Sequence, residues 1–76
     1  MRQITVYTKP ACAQCGATFK VLDKAGINYR KIDVTQNQEA REYVMGLGYL
    51  AMPVVYLSAD EHWSGFRPDR LKRIAA

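Results

Sequence analysis

Hydrophobic positions in the first half of the chain alternate between strand-like runs and helix-like repeats. Residues 3 to 8 (QITVYT) are β-branched and aromatic without a breaker, which predicts a first strand. A helical pattern then begins at Ala13 and ends at Gly26, a residue type that favours helix termination. The apolar face of this helix is formed by Cys15, Phe19 and Leu22. Residues 28 to 34 (NYRKIDV) have the character of a second strand.

The middle of the chain repeats the same alternation. A second helix is predicted to begin at the capping-box pair Thr35 and Gln38 and to end at Gly48. Its apolar face is formed by Ala40, Tyr43, Val44 and Leu47. Residues 54 to 57 (VVYL) are apolar throughout, which predicts a central strand opened by Pro53.

The last third of the chain predicts a hairpin and a terminal helix. The mainly polar segment from Ser58 to Glu61 turns the chain, and His62 and Trp63 return as a short antiparallel strand. Pro68 suits the first turn of a final helix, because the missing N–H has no partner there in any case. The apolar stripe of this helix is formed by Leu71, Ile74 and Ala75.

The resulting order of elements, β-α-β-α-β-β-α, predicts an α/β fold in one domain, residues 1–76. The first two strands are joined by a helix and should therefore run parallel, since parallel strands need a crossover connection. The last two strands follow each other closely and should form an antiparallel hairpin. The expected architecture is a four-stranded mixed sheet flanked by three helices.

Composition and charge exclude several classes of function. The net charge is +4, and the basic residues concentrate in the closing stretch FRPDRLKRIAA, which is interpreted as a solvated helix face. Aromatic residues are not interleaved with them, so no nucleic-acid partner is expected. No stretch approaches the roughly 18 apolar residues of a membrane span, and no signal-peptide pattern opens the chain. We therefore expect a cytoplasmic monomer without a membrane partner.

The two cysteines, Cys12 and Cys15, raise the question of whether they stabilise the fold, bind a metal or react. A bridge between them would close a loop of about four residues and stabilise the fold by only about 2 kcal/mol. Structural zinc requires four ligands, and the chain offers only these two cysteines and His62 besides its carboxylates. No metal site is expected, and a metal-binding or iron–sulfur module is kept as the alternative of another class.

The spacing of the cysteines suits thiol–disulfide exchange. Cys12 is predicted at a helix start, where unpaired backbone N–H groups and the helix dipole favour a thiolate. Backbone N–H groups of Gln14 or Cys15 and the charge of Lys9 would add to this effect. Cys15 lies one turn further on, about 5–6 Å away, on the apolar side of the helix. Cys12 is therefore the predicted nucleophile and Cys15 the buried resolving thiol.

Three motifs together resemble those of the NrdH-redoxins, which are small glutaredoxin-like proteins of the thioredoxin superfamily. They are the CAQC sequence, Pro53 before the central strand, and the closing WSGFRPD of residues 63–69. The resemblance implies a thioredoxin-like fold, a cis peptide bond between Met52 and Pro53, and reversible oxidation of the two cysteines. Lys9, Gln14, Met52 and Pro53 are therefore expected to support the site. Partner recognition is assigned to Trp63, Ser64, Gly65, Phe66 and Arg67, with Arg67 and Asp69 also fixing their loop by hydrogen bonds.

The same resemblance implies partners and an electron source. Such proteins reduce class Ib ribonucleotide reductase and are themselves reduced by thioredoxin reductase, with NADPH as the distant donor and no cofactor bound. Glutaredoxins proper have a Gly-Gly-acidic stretch that helps hold glutathione, whereas residues 64–67 are Ser-Gly-Phe-Arg here. A glutathione-dependent glutaredoxin is therefore the alternative. Thioredoxins proper have an Asp on the strand before the dithiol, which ITVYT lacks, and Lys9 or water is then the candidate proton acceptor for Cys15.

Overall fold

The computed structural model describes residues 3–75. Its elements follow the predicted order of strands and helices. They are β1 (Ile4–Thr8), α1 (Ala13–Lys24), β2 (Tyr29–Asp33), α2 (Gln38–Gly46), β3 (Val54–Ser58), β4 (Glu61–Ser64) and α3 (Pro68–Ala75). Across residues 3–75, none of the helices has the length and hydropathy that crossing a membrane would require.

The four strands form one mixed sheet in the order β2-β1-β3-β4. β1 pairs in parallel with β2, and it pairs antiparallel with β3 on its other side. β3 and β4 form an antiparallel hairpin, with Val55 opposite Trp63. The predictions of a parallel first pair, a closing hairpin and a central VVYL strand are confirmed.

The hydrophobic core lies in two layers, one on each face of the sheet. Because successive strand residues point to opposite faces, Val6 and Val55 enter one layer while Tyr7 and Val54 enter the other. The first layer also contains Leu22 of α1 and Leu71 of α3. These two helices therefore cover one face of the sheet, and α2 covers the other through Ala40 and Val44. Residues of the first layer are Ile4, Val6, Leu22, Val55, Leu57, Trp63 and Leu71.

The predicted capping box at the start of the second helix is wrong. The N-cap is Asn37, whose side-chain oxygen accepts a hydrogen bond of 3.0 Å from the Ala40 N–H. Thr35 is engaged elsewhere, because both its N–H and its hydroxyl donate to Asp33 Oδ1, at 2.8 and 2.6 Å. Thr35 therefore belongs to a turn at the end of β2, and α2 begins at Gln38.

Two residues predicted on apolar helix faces lie at the surface instead. Tyr43 is 45% exposed, and its ring packs edge-on against Tyr56 at 5.7 Å beside the buried stripe of α2. Ala75, at the last turn of α3, is exposed, so the apolar stripe of that helix rests on Leu71 and the half-buried Ile74. Both helices are short, and each buries a narrower face than its sequence pattern predicted.

Substitution of the helix cap should separate the two capping schemes. Asn37→Ala should lower the free energy of unfolding by about 1 kcal/mol, because the Ala40 N–H loses its acceptor. Thr35→Ala removes only an exposed hydroxyl and should cost clearly less. Urea unfolding followed by circular dichroism measures both values, and a larger loss for Thr35→Ala would contradict Asn37 as the cap.

Candidate active site at the start of the first helix

Cys12 is the N-cap residue of α1. Its backbone is extended (φ −111°, ψ 102°), and its sulfur accepts a hydrogen bond of 3.2 Å from the Cys15 N–H. A short loop after β1 carries the chain to this position, with Ala11 at a positive φ of 56°. The sulfur therefore occupies the place that a Ser or Asp side chain takes in an ordinary helix cap. A hydrogen bond from a backbone N–H to this sulfur favours the thiolate in the reduced protein.

Cys15 lies one turn into α1 and forms a disulfide with Cys12, their Cα atoms 5.2 Å apart. Only 2% of Cys15 is exposed, whereas Cys12 is partly exposed. The predicted difference in burial is confirmed, and the apolar side of the helix is its cause. A protein partner can therefore reach the sulfur of Cys12, while Cys15 is within bonding reach of Cys12 alone.

Met52 and Pro53 meet the dithiol from the other side. The bond between them is a cis peptide, as the sequence resemblance implied. The carbonyl oxygen of Met52 lies 3.5 Å from Cys12 Sγ, so segments 40 residues apart in sequence are in contact. In the reduced protein this carbonyl can accept a hydrogen bond from the thiol. It opposes the Cys15 N–H, because a carbonyl favours the thiol and an N–H favours the thiolate.

The end of β4 and the loop that follows it hydrogen-bond to both the start of α1 and the segment around Pro53. The Gly65 N–H donates to the Pro53 carbonyl at 2.8 Å, and the Phe66 N–H donates to Gln14 Oε1 at 3.1 Å. Ser64 Oγ donates to the Ala51 carbonyl at 2.8 Å. Three residues of the WSGFRPD motif are thus fixed next to the dithiol and the cis proline.

The other two residues assigned to partner recognition have structural contacts. Trp63 is 4% exposed, packs in the first core layer and lies under the guanidinium of Arg70, 5.4 Å from the ring centre. Arg67 donates two hydrogen bonds to Asp69, at 3.2 and 3.0 Å, as predicted for this loop. These hydrogen bonds lower the pKa of Asp69 and raise that of Arg67. Recognition by Trp63 or Arg67 stays a prediction.

A contact between Tyr49 and His62 was not predicted from the sequence. The Tyr49 hydroxyl lies 2.6 Å from His62 Nδ1 and donates to the His62 carbonyl at 3.2 Å. It attaches the segment that leads into Met52 and Pro53 to strand β4. The two residues are 13 positions apart and Tyr49 lies between α2 and β3, so they leave no periodic signal and only the folded structure reveals the pair.

A surface pocket of about 570 Å³, which we call the α2 pocket, is lined in part by Met52, the residue whose carbonyl oxygen lies near Cys12 Sγ. It lies between α2 and the segments that follow β1 and precede β3. Its lining residues are Lys9, Val34, Thr35, Gln38, Arg41, Val44, Met45, Tyr49, Leu50 and Met52. Lys9 is exposed at this pocket and forms no hydrogen bond or ion pair within residues 3–75. Its predicted electrostatic effect on Cys12 stays a prediction.

The described residues provide no metal centre. Among residues 3–75 there is no group of three or more His, Cys, Asp and Glu side chains that could hold an ion. The cysteines are paired with each other, and the only histidine, His62, is in contact with Tyr49 and Tyr56.

Comparison with known proteins identifies the family. The glutaredoxin family model matches residues 4–63. The glutaredoxin-like protein NrdH of Escherichia coli K12 is 39% identical over 72 residues, which cover 95% of this chain and 88% of the relative. The chain belongs to the NrdH group of the glutaredoxin family. A glutaredoxin-like protein NrdH of Lactococcus lactis is 36% identical and covers 95% of this chain and 99% of its own.

Solved structures of this family have the same fold. The glutaredoxin-like NrdH-redoxin from Escherichia coli superposes with a TM-score of 0.88 at 39% identity, covering 95% of this chain and 93% of that one. The thioredoxin-like fold predicted from the sequence is confirmed. As a glutaredoxin-family protein with a paired Cys-x-x-Cys motif, the chain is a thiol–disulfide oxidoreductase that carries electrons on its dithiol.

Replacing either of two glycines near the dithiol by alanine should change the stability of the protein, in opposite directions at the two positions. Gly65 has φ +89°, and an added Cβ would lie 3.4 Å from Gln14 Oε1, so Gly65→Ala should destabilise the protein by about 1–2 kcal/mol. Gly16 lies inside α1 with open space around its Cβ position, and Gly16→Ala should stabilise it by up to about 1 kcal/mol. Urea unfolding measures both, and equal effects would contradict a special conformation at Gly65.

Proposed function

We propose that the protein is a cytoplasmic disulfide reductase that delivers electrons to class Ib ribonucleotide reductase and is reduced in turn by thioredoxin reductase. NADPH is then the distant electron source, and the protein itself binds no cofactor and acts as a monomer. The observation that carries this proposal is the segment of residues 64–66, whose hydrogen-bonding groups are already used within the protein, on Ala51, Pro53 and Gln14. The Escherichia coli relative, described as having a thioredoxin-like activity profile, supports it.

The first step of the reaction belongs to Cys12. Its thiolate attacks one sulfur of the partner's disulfide, the partner's S–S bond breaks, and a mixed disulfide forms between Cys12 and the partner. The second sulfur of the partner leaves as a thiolate and takes a proton from solvent. Partial exposure of Cys12 allows this approach, and the Cys15 N–H, 3.2 Å from the sulfur, stabilises the attacking charge.

The second step belongs to Cys15. After losing its proton, its thiolate attacks Cys12 Sγ, the mixed disulfide breaks, and the partner's first sulfur leaves and is protonated. Two electrons and two protons have then passed from the protein to its partner. The Cα–Cα separation of 5.2 Å lets this bond form within one helical turn.

Hydrogen bonding in the 64–66 loop argues against glutathione as the reductant. A bound anionic tripeptide needs donors, and the N–H groups of Gly65 and Phe66 already donate to Pro53 and Gln14. The guanidinium of Arg67 is likewise paired with Asp69. Backbone groups that are already satisfied give an anion little to gain. Thioredoxin reductase would instead contact the region around the dithiol with its own protein surface, and it does not need these backbone N–H groups as donors.

The electron source is testable in a coupled assay. With NADPH and thioredoxin reductase, the chain should support steady NADPH oxidation when oxidised class Ib ribonucleotide reductase is the acceptor. Glutathione with glutathione reductase should support at most a small fraction of that rate. Absorbance of NADPH follows both reactions, and omission of the chain is the control. Turnover only with glutathione would make the protein a glutathione-dependent glutaredoxin.

The division of roles between the two cysteines is testable by alkylation. In the reduced protein Cys12 should react first with iodoacetamide, with a half-point below the value of about 8.5 for a free thiol. Peptide mapping by mass spectrometry assigns the modified residue across a pH series. Cys15→Ser should leave this reaction intact and accumulate the mixed disulfide with a protein substrate. Faster modification of Cys15 would reverse the assignment.

A further inference from the structure

The segment that leads from α2 to Met52 is held in place mainly by hydrogen bonds. Leu50 and Ala51 are both exposed, Leu50 to 85%, so these side chains contribute little packing against the core. Met52 nevertheless places its carbonyl oxygen 3.5 Å from Cys12 Sγ. The position of this oxygen therefore depends on the points at which the segment is tied to the rest of the protein.

Tyr49, at the start of this segment, is fixed at both its main chain and its side chain. The Tyr49 N–H donates to the Val44 carbonyl at 3.1 Å, across the turn that ends α2. Gly48, with φ +97°, donates to the Met45 carbonyl at 3.0 Å in the same turn. The Tyr49 hydroxyl reaches β4, where it lies 2.6 Å from His62 Nδ1 and 3.2 Å from the His62 carbonyl oxygen. One residue thus ties the end of α2 to the edge strand of the sheet.

His62 is a firm attachment point for this hydroxyl. It lies opposite Tyr56 in the β3–β4 hairpin, and the two rings stack with their centres 5.8 Å apart. The ring of Tyr49 meets the imidazole edge-on at 5.5 Å. The hydroxyl can donate its proton to Nδ1, or it can donate to the carbonyl while an Nδ1–H donates to the hydroxyl oxygen. The two residues are therefore joined in either tautomer of the ring.

We propose that Tyr49, held by His62, is a positioning residue that keeps the Met52 carbonyl against Cys12 and so limits how readily Cys12 loses its proton. The carbonyl accepts a hydrogen bond from the thiol and repels the thiolate, so it acts against the Cys15 N–H. The inference rests on Cys12 as the attacking cysteine of the proposed function, and it adds a residue that adjusts the reactivity of that cysteine.

Removal of the Tyr49 hydroxyl tests the proposal. Tyr49→Phe keeps the ring and deletes the group that reaches His62. The rate of reaction of reduced protein with iodoacetamide across a pH series gives the pKa of Cys12, and peptide mapping assigns the modified residue. Tyr49→Phe should lower this pKa by about half a unit, because the loosened carbonyl supports the thiol less. At pH values below both half-points the rate should rise about twofold, since the larger thiolate fraction is partly offset by lower nucleophilicity.

Tyr56→Phe is the matched control, because it makes the same chemical change on the ring that stacks on His62. Its hydroxyl lies 2.8 Å from the Tyr43 hydroxyl, so this variant also breaks a hydrogen bond between side chains. It should leave the pKa of Cys12 unchanged. Urea unfolding of both variants should show similar losses of stability, which separates a positioning effect from a general weakening of the fold.

A second variant tests the part played by His62. His62→Phe keeps a ring against Tyr56 and removes Nδ1, while the main-chain carbonyl still accepts from Tyr49. It should lower the pKa of Cys12 by less than Tyr49→Phe does. The double variant should shift this pKa no further than Tyr49→Phe alone, because both changes act on one contact.

The other outcomes would count against the proposal. An unchanged or raised pKa of Cys12 in Tyr49→Phe, or equal shifts in Tyr49→Phe and Tyr56→Phe, would overturn the positioning role and leave the reductase function standing. Shifts that simply add in the double variant would show that Tyr49 and His62 act separately, and would overturn it as well. Faster modification of Cys15 than of Cys12 in the wild-type protein would overturn both the inference and the assignment of the attacking cysteine.

Discussion

Antiparallel pairing of β1 with β3 is the constraint on which the site depends. Tyr7 lies opposite Val54, so the residues that leave β1 and those that enter β3 are at the same edge of the sheet. Cys12 follows β1 within a short loop, and Pro53 directly precedes β3. One ladder of backbone hydrogen bonds therefore brings the dithiol and the Met52 carbonyl together, and β4 adds its own closing loop to the same edge. The buried valines of the two strands keep this register.

Local patterns were enough to predict most of this fold. Strand runs, helix repeats and the helix end at Gly26 each depend on neighbouring residues. The dithiol is recognisable because its two cysteines are three positions apart and lie at a predicted helix start. The N-cap of α2 could not be predicted, because Thr35 and Asn37 compete and the turn after Asp33 decides between them. Contacts of Gln14 with Phe66 and of Tyr49 with His62 span 52 and 13 residues, and such distances leave no periodic pattern.

The surroundings of Cys12 have two unlike sides. On the side of residues 64–66, the backbone donors are used within the protein, so little binding capacity is left for a small anion. In the α2 pocket, by contrast, Lys9 and Arg41 form no ion pair among the described residues, and Met45 and Leu50 are exposed. Selectivity in such a site comes as much from the groups that are already satisfied as from those that are free.

Burial of Cys15 also dictates the order of events in electron transfer. With 2% of that residue exposed, any donor that opens the disulfide and any acceptor that is reduced must approach through Cys12. Because donor and acceptor react at the same sulfur, the protein must alternate between them and release one before it reacts with the other. A surface that held either partner too tightly would therefore slow the whole cycle.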